Sequence, residues 1–191
     1  MATYTFKYKN ITRELPVYEV GGGVRIAYLD TLSDYELVAA LSKDMAALIT
    51  DNECYQAAQR VVLFTAENKG VPFAYAIANA LSESGKSVEI VIARKKEKKF
   101  FGKCISTEKS SITTEAERER LFLPEYDKRK LENAKVILVD DFYSTGASVA
   151  ALEDLAQSSN AEIIDRVVAV WEEVDKTKKP NAKYVATLPV L

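Results

Sequence analysis

The sequence predicts an α/β fold in which a parallel sheet is flanked by helices. Residues 61–64 and 136–139 are short, wholly apolar runs rich in β-branched side chains, which is typical of strands buried on both faces. Helical patterns lie between successive runs of this kind, and strands that alternate with helices form right-handed βαβ units. We expect residues 1–191 to form a single domain of this class.

The composition excludes several classes of protein and of site. Hydrophobic residues make up 48% of the chain and charged residues 28%, which is ordinary for a globular protein. The chain has no histidine, so Ser-His-Asp and Cys-His catalytic pairs and histidine-containing metal sites are excluded. The 26 basic and 28 acidic residues give a net charge of −2, which argues against general nucleic-acid binding unless the charge is clustered.

The cellular compartment is predicted from two kinds of segment that the sequence lacks. No apolar run approaches the roughly 18 residues of a membrane span, and the first ten residues lack the apolar stretch of a signal peptide. We therefore expect a cytoplasmic protein without membrane association. Cys54 and Cys104 are then expected to be reduced thiols.

Residues 1–50 are predicted to form a small N-terminal hood and a first helix. Gly21, Gly22 and Gly23 separate two apolar runs, which indicates a strand, a turn and a second strand over residues 16–28. Ser33 and Glu36 have the spacing of a capping box. Apolar residues then recur at steps of three and four through residue 49, as in an amphipathic helix that faces a core.

The predicted core, about residues 61–171, continues the alternation of strands and helices. After the first strand, a polar loop over residues 65–70 leads to a helix over residues 73–84, with Pro72 in its first turn and Gly85 at its end. Further elements are predicted as a strand at 87–93, a strand at 136–139, a helix at 148–157, a strand at 163–171 and an edge strand at 184–188. The charged segment 94–133 has no clear period and is interpreted as a functional lid.

The most informative motif follows the strand at residues 136–139. Asp140 and Asp141 come directly after it, and the hydroxyl residues Ser144, Thr145 and Ser148 then lead into a helix start. Backbone N–H groups at a helix start bind phosphate, whereas adjacent carboxylates accept hydrogen bonds from two vicinal hydroxyls of a sugar. A ribose 5-phosphate has both groups, the vicinal hydroxyls and the phosphate. The alternative is that the acids are ordinary loop residues and the hydroxyls a helix cap.

This motif resembles the signature of type I phosphoribosyltransferases, which bind 5-phosphoribosyl 1-pyrophosphate. The resemblance implies the type I phosphoribosyltransferase fold, with Asp140 and Asp141 on the ribose hydroxyls, and with Asp141 also assigned to catalysis. It implies that the 5-phosphate is held by the loop of Ser144, Thr145, Gly146, Ala147 and Ser148, with Tyr143 in the same binding segment. Ala147 departs from the Gly-Gly that is common in the purine members.

Two further segments resemble the pyrophosphate-binding parts of these enzymes. The loop at residues 65–70 is similar to the family's pyrophosphate loop, which implies binding roles for Glu67, Asn68, Lys69 and Gly70. Arg94 and Lys95 are similar to an Arg-Lys pair of adenine and xanthine phosphoribosyltransferases. Residues 94–103 contain six basic residues and one acidic residue, a local charge of +5 that would surround the anionic donor or else form a solvated charge run.

The resemblance also implies a lid and a base site. Residues 111–118 resemble the lid of adenine phosphoribosyltransferases, in which Glu115 would be the acid–base residue, although it could equally be an exposed charge. Phe142 would either stack on a purine or pack under the loop. Glu173, near the end of the last core strand, would accept a hydrogen bond from the base.

The implied reaction transfers the 5-phosphoribosyl group to a purine base in purine salvage and releases pyrophosphate and a nucleoside monophosphate. Adenine is the favoured base, followed by guanine and xanthine. The resemblance further implies Mg²⁺, held by the ligand and water near Asp140 and Asp141, and a homodimer. A non-catalytic sensor of the phosphoribosyl donor is the rival interpretation. Nucleic acid is not an expected partner.

Overall fold

The computed structural model describes residues 2–109, 119–174, 177 and 179–191. A 3₁₀ turn at Lys99–Phe101 interrupts the loop after β5. The helices and strands in chain order are β1 (Thr3–Tyr8), β2 (Ile11–Glu19), β3 (Arg25–Ala27), α1 (Tyr35–Thr50), α2 (Glu53–Ala57), β4 (Arg60–Ala66), α3 (Gly70–Ser82), β5 (Ser87–Ala93), β6 (Cys104–Lys109), β7 (Glu119–Pro124), α4 (Glu125–Leu131), β8 (Lys135–Tyr143), α5 (Ala147–Gln157), β9 (Glu162–Glu173) and β10 (Lys183–Pro189).

The central sheet has five parallel strands in the order β10–β9–β8–β4–β5. Numbered along the chain, these strands have the order 2-1-3-4-5, a common order of doubly wound α/β sheets. The order reverses between β4 and β8, and ligands of such sheets bind at the carboxyl ends of the strands on either side of that point. The predicted fold class, a parallel sheet flanked by helices, is confirmed.

The core lies on both faces of this sheet, as the apolar strands require. Val61 and Leu63 of β4 belong to a buried cluster with α1 and α3 on one face. Val62 and Phe64 belong to a second cluster with α5 and β7 on the other face. Successive side chains of a strand point to opposite faces of the sheet. An uninterrupted apolar run therefore supplies buried side chains to both faces.

The N-terminal hood is a three-stranded antiparallel sheet in the order β1–β2–β3. The predicted strand, turn and strand are confirmed as β2 and β3, joined by a turn in which all three glycines have positive φ. β1 was not predicted, and its residues pair along β2 from Thr3 opposite Pro16 to Tyr8 opposite Ile11. β1 is therefore stabilised by its pairing with β2, which the residues of β1 alone do not indicate.

The cap of α1 differs from the prediction. Asp34, and not Ser33, is the N-cap, and its side chain accepts a hydrogen bond from the Leu37 amide at 3.1 Å. The Asp34 carboxylate also pairs with Arg13 of β2, at 2.6 Å from Nε to Oδ2. This ion pair joins the start of the helix to the hood, a contact that a hydroxyl at position 33 could not make as strongly.

The segment 94–133 contains more regular structure than its sequence indicated. It includes the antiparallel pair β6–β7 and the helix α4, and Arg94 bridges to Phe122 through two backbone hydrogen bonds of 2.8 Å. β7 contributes Leu121 and Leu123 to the core. α3 also begins three residues earlier than predicted, at Gly70. Among the described residues, no helix combines the length and hydropathy needed to span a membrane.

Candidate active site

A cavity of about 340 Å³ lies at the carboxyl ends of β4 and β8, where the strand order reverses. Its lining comes from the hood, from the loop after β4, from the end of β8 and from the start of α5. The residues predicted from sequence that line it are Glu67, Asn68, Lys69, Lys95, Asp140, Asp141, Phe142, Ser144, Thr145, Gly146, Ala147 and Ser148. Segments far apart in the chain thus meet in one cavity, as the sequence predicted.

The paired carboxylates lie where β4 and β8 separate. β8 pairs with β4 only up to Leu138, but with β9 as far as Tyr143. The acids therefore belong to the strand itself, rather than following it as the sequence suggested. Asp140 and Asp141 are each only 7% exposed, and the Asp141 amide donates to the Asp140 carboxylate at 3.0 Å. Carboxylates at the edge of a cavity are hydrogen-bond acceptors for the hydroxyl groups of a ligand.

The loop from Ser144 to Ser148 leads directly into α5. Gly146 is the N-cap residue in the left-handed conformation, with φ at 83°. Gly146 has no side chain to cap this helix start, and within the described part of the chain the one side-chain hydrogen bond recorded there is a long one of 3.4 Å from the Ala147 amide to the Thr145 hydroxyl. Uncapped amides at the N-terminus of a helix beside a cavity favour an anion such as phosphate.

The loop after β4 is held by residues that directly follow β5. Glu67 accepts hydrogen bonds from the Arg94 guanidinium at 3.0 Å and from the Lys95 amide at 3.1 Å. The Glu67–Asn68 peptide bond is cis. The two hydrogen bonds of Glu67 join this loop to the segment after β5, and Lys69 and Lys95, one cationic side chain from each, both line the cavity.

Gly70 is buried at the start of α3 and does not line the cavity. A Cβ there would overlap Thr65 Oγ1 and lie 3.0 Å from Asp140 Oδ1. The packing of α3 against β4 and β8 therefore requires a residue without a side chain at this position. The role of Gly70 in donor binding stays a prediction.

The hood contributes one wall of the cavity. Ile26, Tyr28 and Leu29 of β3 and the loop after it line this side. The Lys69 ammonium lies over the Tyr28 ring, 4.9 Å from its centroid, and 5.8 Å from the centroid of the Phe142 ring. Both distances are within cation–π range. Lys69 thus lies among the aromatic rings in this structure.

Asp30, in the same hood loop, titrates below its ordinary range. The backbone amide of Leu32 donates to its carboxylate at 3.0 Å, and this bond lowers the pKa of Asp30. A hydrogen bond from the Ser33 side chain and the positive charge of Lys69 lower that pKa further. Asp30 is therefore a carboxylate near Lys69, a cation of the cavity lining.

Three other predicted residues are placed outside the lining. Arg94 turns back to Glu67, so it supports the loop rather than facing the cavity. The Tyr143 ring packs beneath Gly146, where a Cβ would overlap its hydroxyl, and that hydroxyl accepts a bond of 3.3 Å from the Asn181 amide. Glu173 does not line the cavity, but its neighbour Glu172 does, because side chains alternate along a strand.

Glu115 and the rest of the segment 110–118 lie outside the described residues. Sequence reasoning missed the hood residues Ile26, Tyr28 and Leu29 and the buried Thr31, whose hydroxyl contacts Asp141. No local pattern marks them, since their only signal is an apolar strand of the N-terminal addition. In the parts of the chain that the structure describes, no group of three or more Asp, Glu, Cys or His side chains is arranged to hold a metal ion.

The comparisons with known proteins agree with this architecture. The family model for the phosphoribosyl transferase domain matches residues 29–189. A comparison with curated protein sequences finds no significant match. Solved structures of three phosphoribosyltransferases share the fold.

An adenine phosphoribosyltransferase from Saccharomyces cerevisiae, solved with an imino-altritol bisphosphate and adenine, is 21% identical with a TM-score of 0.62 and covers 96% of this chain and 92% of its own. The adenine enzyme from Thermoanaerobacter pseudethanolicus is 18% identical with a TM-score of 0.60, covering 92% and 94%. A hypoxanthine phosphoribosyltransferase from Trypanosoma cruzi is 16% identical with a TM-score of 0.58, covering 81% and 75%. With a family match over most of its length and this fold, the chain belongs to the type I phosphoribosyltransferases.

Proposed function

We propose that the protein transfers the 5-phosphoribosyl group from 5-phosphoribosyl 1-pyrophosphate to a purine base, releasing pyrophosphate and a nucleoside monophosphate. The observation that carries this proposal is the convergence of paired carboxylates, a hydroxyl-rich helix start and two lysines in one cavity. The ligand that matches all three must combine sugar hydroxyls, a phosphate monoester and additional negative charge. The phosphoribosyl donor is such a ligand.

The sugar and its phosphate are assigned to β8 and α5. Asp140 and Asp141 accept hydrogen bonds from the ribose 2- and 3-hydroxyls, because a carboxylate is an acceptor for both. The amides and hydroxyls from Ser144 to Ser148 bind the 5-phosphate. Fixing the sugar at both ends orients carbon 1 toward the base, and orientation of this kind supplies much of the rate enhancement of a displacement.

Pyrophosphate departure is assigned to the loop after β4 and the start of the basic segment. Asn68, Lys69 and Lys95 stabilise the charge that develops on the leaving group, and Glu67 and Arg94 hold that loop in position. The transition state has oxocarbenium-ion character, as in glycoside hydrolysis, so no nucleophilic side chain is required. The lid, with Glu115 as its acid–base residue, remains part of the proposal.

Mg²⁺ is the expected cofactor. The chemistry of the site fits it, because carboxylate and phosphate oxygens are the ligands that Mg²⁺ prefers. Asp140 and Asp141 would hold it from the protein side, together with oxygens of the donor and water. When bound, Mg²⁺ neutralises negative charge on the ribose-pyrophosphate, and the residues named above bind and orient the organic groups.

Adenine is the favoured base. Phe142 from the core and Ile26, Tyr28 and Leu29 from the hood provide apolar walls for a planar ring. Glu172, the acceptor that replaces the predicted Glu173, suits the exocyclic N–H donors of adenine. The specific observation that favours xanthine or guanine instead is the Lys69 ammonium near Tyr28 and Phe142, since an ammonium is a donor to a base carbonyl.

Pyrophosphate release in the presence of Mg²⁺, the phosphoribosyl donor and one base at a time tests this proposal. Turnover with adenine supports the favoured substrate, and turnover with xanthine or guanine alone replaces it. Donor binding without turnover by any base would contradict the enzyme function and favour a sensor. Absence of donor binding would contradict both functions.

Asp141→Asn provides a test of the ribose assignment. The substitution removes the negative charge that orients the hydroxyls, and we expect kcat/KM to fall by about 10²-fold or more, the size of effect seen when a charged partner in an active site is lost. Asp165→Asn is the matched control, because Asp165 is also 7% exposed but lies on β9, where it pairs with Lys183. Full activity of Asp141→Asn would contradict the assignment.

We also expect a homodimer. Leu32 and Tyr35, 52% and 86% exposed, line a second cavity between α1 and α3, and large exposed apolar side chains of this kind are common at protein interfaces. Sedimentation velocity over a range of protein concentrations measures the state directly. A single monomeric species at every concentration would contradict this expectation.

A further inference from the structure

Thr31 lies in the hood loop between β3 and α1 and is completely buried. Its hydroxyl is 3.2 Å from Oδ2 of Asp141, a residue 110 positions further along the chain. A carboxylate only accepts hydrogen bonds, so the threonine is the donor. Asp141 is itself almost buried, which makes a donated hydrogen bond to its carboxylate valuable.

The same short loop has two kinds of contact with the cavity. Tyr28 and Leu29 line the cavity directly, on the side assigned to the base. Thr31 stands behind the carboxylate assigned to the ribose and also lines the second cavity, between α1 and α3. The bond between Thr31 and Asp141 is thus a direct polar link between the base-covering loop and the ribose-binding strand.

We propose that Thr31 is a positioning residue that orients the Asp141 carboxylate for the ribose of the donor. With Oδ2 held by the threonine, the carboxylate has one preferred rotation, and its other oxygen is directed to a sugar hydroxyl. Without that bond, the carboxylate rotates among several positions, and ordering it again costs binding free energy. This inference rests on the proposed function, because it takes the ribose assignment of Asp141 as given.

Thr31→Val is the informative substitution because it removes the hydroxyl while keeping the shape of the side chain. Hydrogen bonds to charged groups are stronger than those between neutral groups, but the separation of 3.2 Å is long for such a bond. We therefore expect the Kd of the donor with Mg²⁺, measured by calorimetry, to rise about tenfold. In steady-state kinetics the change should appear in the KM for the donor, with the KM for the base nearly unchanged.

Thr31→Ser and Ser42→Ala are the controls. Thr31→Ser keeps the donor and should bind within about twofold of the wild type, a difference well below that of a lost charged hydrogen bond. Ser42 is 2% exposed, lines the same second cavity, and its hydroxyl has no hydrogen-bond partner among the residues that the structure describes. Ser42→Ala therefore removes a buried hydroxyl nearby without removing a contact to Asp141, and should leave donor binding unchanged.

The outcomes separate this inference from the function on which it rests. Unchanged donor binding by Thr31→Val would overturn the positioning role, and so would equal losses of donor binding in Thr31→Val and Thr31→Ser. In either case, turnover by the wild type would still support the proposed enzyme function. Donor binding without turnover would overturn the enzyme function, yet the same binding series would still test Thr31. A wild type that does not bind the donor overturns both. Thr31→Ala repeats the test if thermal melting shows that the valine variant does not fold.

Discussion

At the scale of single residues, packing restricts position 70 to glycine. A Cβ at Gly70 would overlap the Thr65 hydroxyl and lie 3.0 Å from Asp140 Oδ1, so the absence of a side chain lets α3 begin close to both strands. The same closeness brings the loop of Asn68 and Lys69 beside the carboxylates. A packing requirement at one residue therefore helps to assemble the cavity.

We expect Gly70→Ala to lower the free energy of unfolding by about 1 to 3 kcal/mol, the usual cost of overpacking a close-packed site. The new Cβ overlaps Thr65 Oγ1, so Thr65→Ala should relieve part of this cost in the double variant. Urea denaturation of the two single variants and the double variant measures the coupling. Costs that simply add would show that Thr65 is not the neighbour that resists the alanine.

At the scale of elements, the hood is joined to α1 by an ion pair. Arg13 of β2 donates to both carboxylate oxygens of Asp34, the N-cap of α1, and also pairs with Glu36 at 2.7 Å. The hydrogen bond from Arg13 lowers the pKa of Asp34, partly opposed by burial and supported by the Leu37 amide. The N-terminal addition is thus fixed to the element that follows the base-covering loop.

The ion pair of Arg13 and Asp34 should make the protein more stable at neutral pH than at acidic pH. A carboxylate with a lowered folded-state pKa contributes stability that is present above its unfolded value of about 4 and is lost as the pH falls below it. Arg13→Gln should lower the free energy of unfolding at pH 7 by a small amount, as for a partly exposed pair. The difference from the wild type should shrink below pH 4.

Urea denaturation at several pH values between 3 and 7 measures this dependence. Lys7→Gln is the control, because Lys7 is an exposed cation of β1 in the same hood sheet. A constant difference between Arg13→Gln and the wild type across this pH range would show that Arg13 does not act through the Asp34 carboxylate.

At the scale of the whole molecule, charge is distributed unevenly about the sheet. The net charge is −2, but residues 94–103 carry +5, and residues 95–100 are exposed beside the cavity. Lys98 also lies over the ring of Phe100, 5.7 Å from its centroid. A cationic segment next to a binding cavity raises the encounter rate with an anionic ligand, in a manner that salt screens.

Replacement of Lys98 and Lys99 by glutamine should lower kcat/KM for the phosphoribosyl donor by about two- to fivefold at low ionic strength, with kcat unchanged, because steering affects encounter rather than chemistry. The difference should disappear near 0.5 M salt, where the Debye length is only about 4 Å. Lys7→Gln with Lys135→Gln is the matched control, since Lys135 lies at the amino end of β8, opposite the cavity. An effect independent of salt would contradict electrostatic steering.

Local pattern predicted those parts of the fold whose signal lies within one element. The apolar runs of β4 and β8 required burial on both faces, and the two cores show that burial. β5 was predicted with its observed bounds, and α5 to within one residue. By contrast β1, β6 and β7 were not predicted, because each belongs to an antiparallel pair, β1 with β2 and β6 with β7, rather than to a wholly apolar run such as those of β4 and β8.

The sequence by itself determined the chemistry of the cavity: two adjacent acids, a hydroxyl-rich helix start and basic residues after neighbouring strands. Only the tertiary structure decided which side chains face that cavity. It selected Glu172 over Glu173, turned Arg94 back to Glu67, placed Tyr143 under Gly146 and brought Thr31 to Asp141. Residue type and spacing determine which chemistry is possible. The direction in which each side chain points depends instead on strand register and on contacts between segments about a hundred residues apart.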